Sequence, residues 1–209
     1  MKILAIDTSS KRCSVCIFED NHVIINLNND DEKTHSVKLM PMVDQAFKET
    51  GLSLDDISLL ACCIGPGSFT GVRIGISTVK AFADVKNIPV VEITSLESLA
   101  YNVIYDNSSV NTIGEKKTLI CSLIDAKNNN VYCGLYYYNE KMNLIEIFAE
   151  DINVTMKKLK DAFEKNNFSD IIFVGDGAET YKNTIEDNFK SENICICEGE
   201  SNFQCSPSL

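Results

Sequence analysis

Apolar positions along this chain first alternate with polar ones, then recur every three to four residues, and the change happens twice. Residues 3–6 (Ile-Leu-Ala-Ile) form a short apolar run that ends in Asp7 and gives way to a polar stretch, 8–12. Two further strand-like segments follow, 13–18 and 23–27, with the turn residues Glu19, Asp20 and Asn21 between them. Beyond them the period lengthens to about 3.6. It predicts a helix over 36–50 with Gly51 placed to end it, a strand over 58–64 and a helix over 70–86. A strand over 88–93 and a helix over 96–105 complete the half. Pro41 falls inside the first helix, where it is either tolerated near the start or kinks the axis.

The second half repeats this order. An apolar run over 119–124 ends in Asp125, a turn occupies 126–130, and strands are predicted over 131–138 and 144–149. Helix 156–165, strand 170–174, helix 179–189 and strand 193–197 follow. Asp7 to Cys13 and Asp125 to Val131 have the same separation, so the register is kept at an offset of 118 residues. Each half reads βββαβαβ, the first with one extra helix, and the polar stretch 106–117 marks the boundary between halves 1–105 and 106–209. A hairpin meander followed by crossover strands gives a mixed sheet covered by helices. Duplicated, with an aspartate ending each first strand, the pattern resembles the actin-like ATPase superfamily. The expected fold class is therefore α/β, a duplicated actin-like (ribonuclease H-like, ASKHA) fold with two mixed sheets flanked by helices. That resemblance implies that nucleotide can lie between the halves; fold alone does not supply chemistry.

Composition narrows the function. Of 209 residues, 44% are apolar and 23% charged, which suits a folded soluble protein, and the net charge of −11 opposes unaided binding to RNA or DNA. No run reaches the ~20 apolar residues of a membrane span and no basic-then-apolar leader opens the sequence. Nine cysteines lie mostly in apolar runs, as expected of reduced, buried thiols in a cytoplasmic protein. Cys13 and Cys16 have CxxC spacing, but strand geometry turns them to opposite faces and no second pair follows.

The richest segment is Gly65-Pro66-Gly67-Ser68-Phe69-Thr70-Gly71-Val72-Arg73-Ile74-Gly75, placed between a buried-type strand and a helix. Its glycines permit a sharp turn, and Ser68 or Thr70 can cap the helix, whose free amides suit an anion. It is neither a P-loop nor a dinucleotide fingerprint, and on chemistry alone a tight strand-to-helix turn is the simpler reading. Taken with Ile6-Asp7-Thr8-Ser9 and Gly175-Asp176-Gly177-Ala178, the segment closely resembles the TsaB (YeaZ-like) family over nearly the whole chain. The family pattern continues beyond residues 206–208 into a final helix, whereas this sequence stops at Leu209, so either the sequence is cut short or that helix is lost from the second half.

The resemblance implies a non-catalytic subunit in the formation of N6-threonylcarbamoyladenosine at position 37 of tRNAs reading codons that begin with A. It implies pairing with the catalytic paralogue TsaD, cooperation with the ATPase TsaE, homodimerisation when alone, and only indirect contact with tRNA. No tightly bound cofactor is expected, with ATP or ADP and magnesium confined to the interface of a complex. The residues agree in one respect: the resemblance implies that the catalytic paralogue holds a metal through two histidines one helical turn apart, and His22 and His35, 13 apart, cannot form that i, i+4 pair. Neither is placed to serve a serine or cysteine nucleophile, which argues against hydrolysis. The candidate nucleotide or anion site comprises Asp7, Thr8, Gly65, Gly67, Ser68, Thr70, Gly71, Gly175 and Gly177. Asp7 and Asp125 either face a cleft and hold magnesium through water, as a stand-alone ATPase or kinase would require, or cap the turns they begin.

The candidate interface lies on two helices. In the first, Leu39, Met40, Met42, Val43, Ala46 and Phe47 spread over about 160° at 100° per residue, wider than one core-facing stripe. Such a helix is expected to pack both on its own sheet and on a partner. In the second, Val72, Ile76, Val79 and Ala83 make one face, Ile74, Thr78 and Ala81 a second, and Arg73, Ser77 and Lys80 a third. The predicted interface is His35, Leu39, Met42, Val43, Ala46, Arg73, Ile74, Ser77, Thr78, Lys80 and Ala81, forming a four-helix bundle with a copy or paralogue. A charge at Val43 or Ile74 is expected to abolish pairing and leave the fold intact.

Overall fold

Two five-stranded sheets carry the chain, and they share one strand order. The computed structural model describes residues 1–20, 22–31, 35–105, 117–139 and 141–202. The first sheet contains β1 (Lys2–Asp7), β2 (Cys13–Glu19), β3 (His22–Asn29), β4 (Leu59–Cys63) and β5 (Val90–Ile93), in the order β3-β2-β1-β4-β5. The second contains β6 (Thr118–Asp125), β7 (Asn130–Asn139), β8 (Lys141–Asp151), β9 (Asp170–Val174) and β10 (Asn193–Ile196), in the order β10-β9-β6-β7-β8. In each, the first three strands pair antiparallel and the crossover strands join parallel. The repeat visible in the sequence is thus a repeat of topology.

By compactness the chain divides into one unit from Met1 to Ser98 and a second that begins at Leu99. The division falls within α3 (Ser95–Tyr105), whereas the sequence pattern places it after residue 105; the stretch 106–116 and the segment 203–209 lie outside the described residues.

In the first unit, α1 (His35–Thr50) and α2 (Phe69–Lys86) cover one sheet face. Leu4, Ile6, Val15, Ile17 and Leu60 meet Leu39, Val43 and Val79 there in a continuous core. Each such side chain, fully buried, stabilises the fold by about 1.5–3 kcal/mol. Strand alternation sends Cys13 into this core and Cys16 into a smaller cluster with Ala5 and Ala61 on the other face. In the second unit, α4 (Ile152–Lys165), α5 (Asp176–Thr180) and α6 (Lys182–Asn188) surround a core built on Leu119, Leu123, Phe173 and Phe189. The helix predicted over 179–189 is two short helices broken at Tyr181. The eight described cysteines carry no disulfide.

The broad apolar arc of α1 has a different cause from the expected one. His35, Leu39, Met42, Val43 and Ala46 are all buried within the unit, so they form no surface for a partner. Most of the arc is used because α1 touches β2 and β3 on one side and α2 on the other, whereas Met40, part of the same arc, is 49% exposed. The helix runs through Pro41 without interruption, and Gly51 adopts the left-handed conformation (φ 69°) that ends it. The faces of α2 also differ from expectation. Gly71, Gly75 and Val79 point inward, while Ile76, grouped with Val79 on one face from the sequence, is 38% exposed.

Because Val43 is only 3% exposed, Val43→Glu is expected to unfold the first unit rather than act selectively on a partner. An unpaired charge in that core costs about 3 kcal/mol or more, and a large drop in melting temperature with loss of near-UV circular dichroism is the expected readout.

Candidate functional site

Every feature of the first unit's candidate site starts from the turn that follows β1. Asp7 Oδ1 accepts the Ser9 amide at 2.7 Å, folding residues 7–9 into an Asx turn. The start of α2 docks on that turn. The Ser68 amide donates to the Ser9 carbonyl (2.6 Å), and Thr8 Oγ1 donates to the Gly71 carbonyl (2.7 Å). Ser68 caps the helix by accepting the Gly71 amide at 3.2 Å. A Cβ at Gly67 would strike the Ser9 carbonyl, one at Gly71 the Thr8 carbonyl, and one at Gly75 the Thr8 hydroxyl. Gly65 turns with φ 90° into a cis bond to Pro66, and its carbonyl accepts the Ser95 amide at 2.9 Å.

Beneath the turn lies a buried polar cluster that sequence reasoning missed. Ser95 Oγ lies 3.0 Å from both Ser9 Oγ and Cys63 Sγ, and Cys63 Sγ lies 3.4 Å from Ser9 Oγ. Burial pushes the Cys63 thiol well up. Nothing marks Ser95 in the sequence, since it reads as an ordinary helix start. His35 braces the outer side: its ring nitrogens lie 2.9 Å from the Ser10 carbonyl oxygen and 3.2 Å from that of Asp31. Arg12, nearly buried, donates from Nε to Asp30 at 2.6 Å.

Asp7 and Asp125 use the same turn in different surroundings. Asp125 Oδ1 accepts the Lys127 amide two residues on, at 2.9 Å, as Asp7 does with Ser9. Burial raises the Asp7 carboxyl above the usual range, opposed by the Ser9 amide, and Asp7 Oδ2 has no hydrogen-bond partner among the described residues. Desolvation also acts on Asp125, but the Lys127 side chain and amide outweigh it and hold that carboxyl below the usual range. Lys127 Nζ lies 2.7 Å from Asp125 Oδ2, and the Tyr181 hydroxyl donates to Oδ1 at 3.4 Å. Asp176 accepts the Asp125 amide at 3.0 Å. Gly175 (φ 107°) and Gly177 both pack on the Leu123 backbone, and the Gly175 amide donates to buried Asn202 at 2.9 Å.

The structure therefore brings Asp7, Thr8, Gly65, Gly67, Ser68 and Gly71 together, while Gly175 and Gly177 serve the equivalent turn of the second unit. At Gly67, Gly71 and Gly75 the space that a Cβ would take is filled by Thr8 and Ser9, so these glycines admit the close approach of the chain's own turn. Thr70 points elsewhere, onto the surface of α2.

On that surface Arg73, Ser77, Lys80 and Ala81 are exposed, with Ile74 and Thr78 half-buried beside them. A shallow groove runs between Phe69, Thr70, Arg73, Ile74, Ser77 and Thr78. The Arg73 guanidinium stacks 3.7 Å above the Phe69 ring, which is 69% exposed. Phe69 stands within the glycine-rich motif, and only the helix start at residue 69 shows that it faces out.

Solved structures share this architecture. YeaZ from Pseudomonas aeruginosa superposes with a TM-score of 0.76 at 22% identity over 99% of this chain and 87% of that one. A ROK hexokinase from Thermus thermophilus gives 0.54 at 10% identity, over 100% and 97%. Fold and site define a duplicated actin-like protein whose glycine-rich turn is closed by its own backbone. Residues 27–203 match the family model described as TsaD, tRNA N6-adenosine threonylcarbamoyltransferase. The tRNA threonylcarbamoyladenosine biosynthesis protein TsaB of Bacillus subtilis is 33% identical over 90% of this chain and 76% of its own length. TsaB of Haemophilus influenzae is 28% identical over 94% and 80%. The chain belongs to the TsaB (YeaZ-like) family of tRNA threonylcarbamoyladenosine biosynthesis proteins. Among the described residues no helix is long and apolar enough to cross a membrane.

Two measurements test the site's construction. Gly71→Ala must push the Thr8 carbonyl aside, and overpacking of that kind costs about 1–3 kcal/mol, to be read as a lowered denaturation midpoint at unchanged m. Asp7→Asn keeps an acceptor for the Ser9 amide and removes the buried charge. Because the folded carboxyl titrates above its unfolded value, the native stability lost on ionisation is lost as pH rises. The variant should therefore be more stable than the parent at pH 7–8, and the gain should vanish below about pH 3.9, where Asp7 is neutral in both states.

Proposed function

We propose that this chain is a non-catalytic member of the machinery that forms N6-threonylcarbamoyladenosine on tRNA, and that it acts by presenting the outer face of α2 to the catalytic subunit TsaD. The observation that carries this reading is the Phe69–Arg73 groove with Ser77, Lys80 and Ala81 beside it on an exposed face of α2. Small residues let a second helix approach closely, and the stacked arginine supplies a rigid donor at the rim. An interface of ordinary size buries about 1,600 Å².

The chemistry of the polar groups supports a non-catalytic role. Of the two histidines, His35 is buried between carbonyl oxygens and His22 stands exposed on β3, 13 positions earlier. The glycine turn is filled by Thr8 and Ser9, and Asp125 is engaged by Lys127. Nucleotide and magnesium then belong to the assembled complex, with TsaE as the ATPase. With a net charge of −11, this chain leaves the tRNA phosphates to its partners. Without TsaD, the same face of α2 pairs two copies of the chain, and the compartment is the cytoplasm.

Arg73→Glu and Ala81→Glu change exposed groups and should leave the melting temperature within about 2 °C. In an assay reconstituted with TsaD, TsaE and tRNA, each should lower threonylcarbamoyladenosine formation about tenfold or more, as expected where a central interface residue carries about 2 kcal/mol. Lys190→Glu, exposed in the second unit, should have no effect. Full activity in both α2 variants defeats the interface, and ATP turnover by the isolated chain that is lost in Asp7→Ala replaces the reading with an enzymatic one.

A further inference from the structure

The second sheet ends on β8, the longest of the edge strands at 11 residues, whereas β5 and β10 have four each. β7 pairs with one side of β8, and among the described residues no strand pairs with the other. An open edge of this length is a template for a further strand. β8 carries a bulge at Ile145, because Tyr136 faces Leu144 while Leu135 faces Glu146. The bulge resets which residues share a face. Glu146, Phe148 and Glu150 lie opposite core residues of β7, and Met142, Leu144, Ile147 and Ala149 lie together on the outer face. There Leu144 is 55% exposed and Ile147 46%, with Tyr132 and Tyr138 half-buried beside them.

We propose that β8 is a self-pairing strand: two copies of the chain join through it, antiparallel and about a two-fold axis, so that their second sheets become continuous.

The strand is its own complement in one register. When Leu144 opposes Ile147 of the second copy, Met142 opposes Ala149 and Lys141 opposes Glu150, each contact occurring twice by symmetry. Outer-face residues then meet only outer-face residues, and the two bulges oppose each other across the axis. Lys158 contacts Glu150 Oε1 within each copy, which leaves Oε2 to accept from Lys141. No like charges face each other directly. A shift of one residue sets Leu144 against Glu146 in one direction and Glu146 against its own copy in the other, and both are unfavourable. The two apolar side chains that the single copy leaves in water cover each other on pairing, which is where their hydrophobic stabilisation is realised. The contact uses residues of the second unit, whereas α2 belongs to the first, so the two surfaces are tested separately.

The test uses the full chain carrying Arg73→Glu, which removes pairing through α2. Sedimentation equilibrium up to about 100 μM should show reversible monomer–dimer association. Ile147→Lys, at an exposed position, should weaken it about tenfold or more at an unchanged melting temperature. The register is read by mixing copies that carry Leu144→Cys with copies that carry Ile147→Cys under mild oxidation. Opposed residues lie roughly 4.5–5.5 Å apart between Cα atoms, within the span of a disulfide, whereas two copies of position 144 are three residues out of register, roughly 10 Å apart. Mass spectrometry should therefore map a disulfide between positions 144 and 147 in preference to 144–144 or 147–147. A monomer throughout that concentration range, association unchanged by Ile147→Lys, or cross-links favouring like positions overturns the proposal. So does an association through β8 that forms only when TsaD is added, which assigns the strand to that partner.

Discussion

The contact on which the first unit depends is the approach of two backbones, the Thr8–Ser9 turn and the first two turns of α2. Gly67 before the helix cap, with Gly71 and Gly75 on one face of the helix, makes it possible, because a Cβ at any of them would occupy the space of a Thr8 or Ser9 oxygen. Hydrogen bonds from Ser68 and Thr8 then lock the two together. With Gly71, Gly75 and Val79 fixed inward, the helical period leaves Arg73, Ser77 and Lys80 no choice but to face out. One constraint thus sets both the seat of the helix and the side it shows.

The same constraint decides the chemistry of the turn. A glycine-rich start to a helix is a ready anion site when its amides look into open space. Here the chain's own turn packs against the glycines and is tied to them by internal hydrogen bonds: Ser68 with Ser9 and Gly71, Thr8 with Gly71, Asp7 with Ser9. The second unit keeps the Asx turn and the glycine contact with Leu123, yet places a lysine against its aspartate. Duplication has preserved the backbone geometry of the two turns while their electrostatics have separated. Asp7 is desolvated and lacks a counter-ion within the turn, whereas Asp125 is paired.

Much of this was legible in the sequence because it is written in periodicity. The switch from alternation to a helical period located both meanders and their crossovers, and the matched spacing of Asp7–Cys13 and Asp125–Val131 exposed the duplication. Gly51 and Ser68 marked a helix end and a helix start through local backbone chemistry that needs no tertiary context. What failed was any question of what an apolar surface touches. Most of the arc of α1 meets a sheet and α2, and a sequence cannot distinguish that second neighbour from a foreign one. The buried face of α2 was hard to read for the opposite reason: two of its buried residues, Gly71 and Gly75, carry no hydrophobic signal. Tyr181 broke a predicted helix at the point where its hydroxyl reaches Asp125, 56 positions earlier.

The close contact between the Thr8–Ser9 turn and the glycines orders α2. That ordered helix turns outward an arginine stacked on an exposed phenylalanine beside short side chains. An exposed aromatic of this size gains nothing for the isolated unit, since its hydrophobic stabilisation is realised only on burial. The cost of leaving Phe69 in water is therefore the strongest physical reason to look for function on α2 and away from the glycines that hold it.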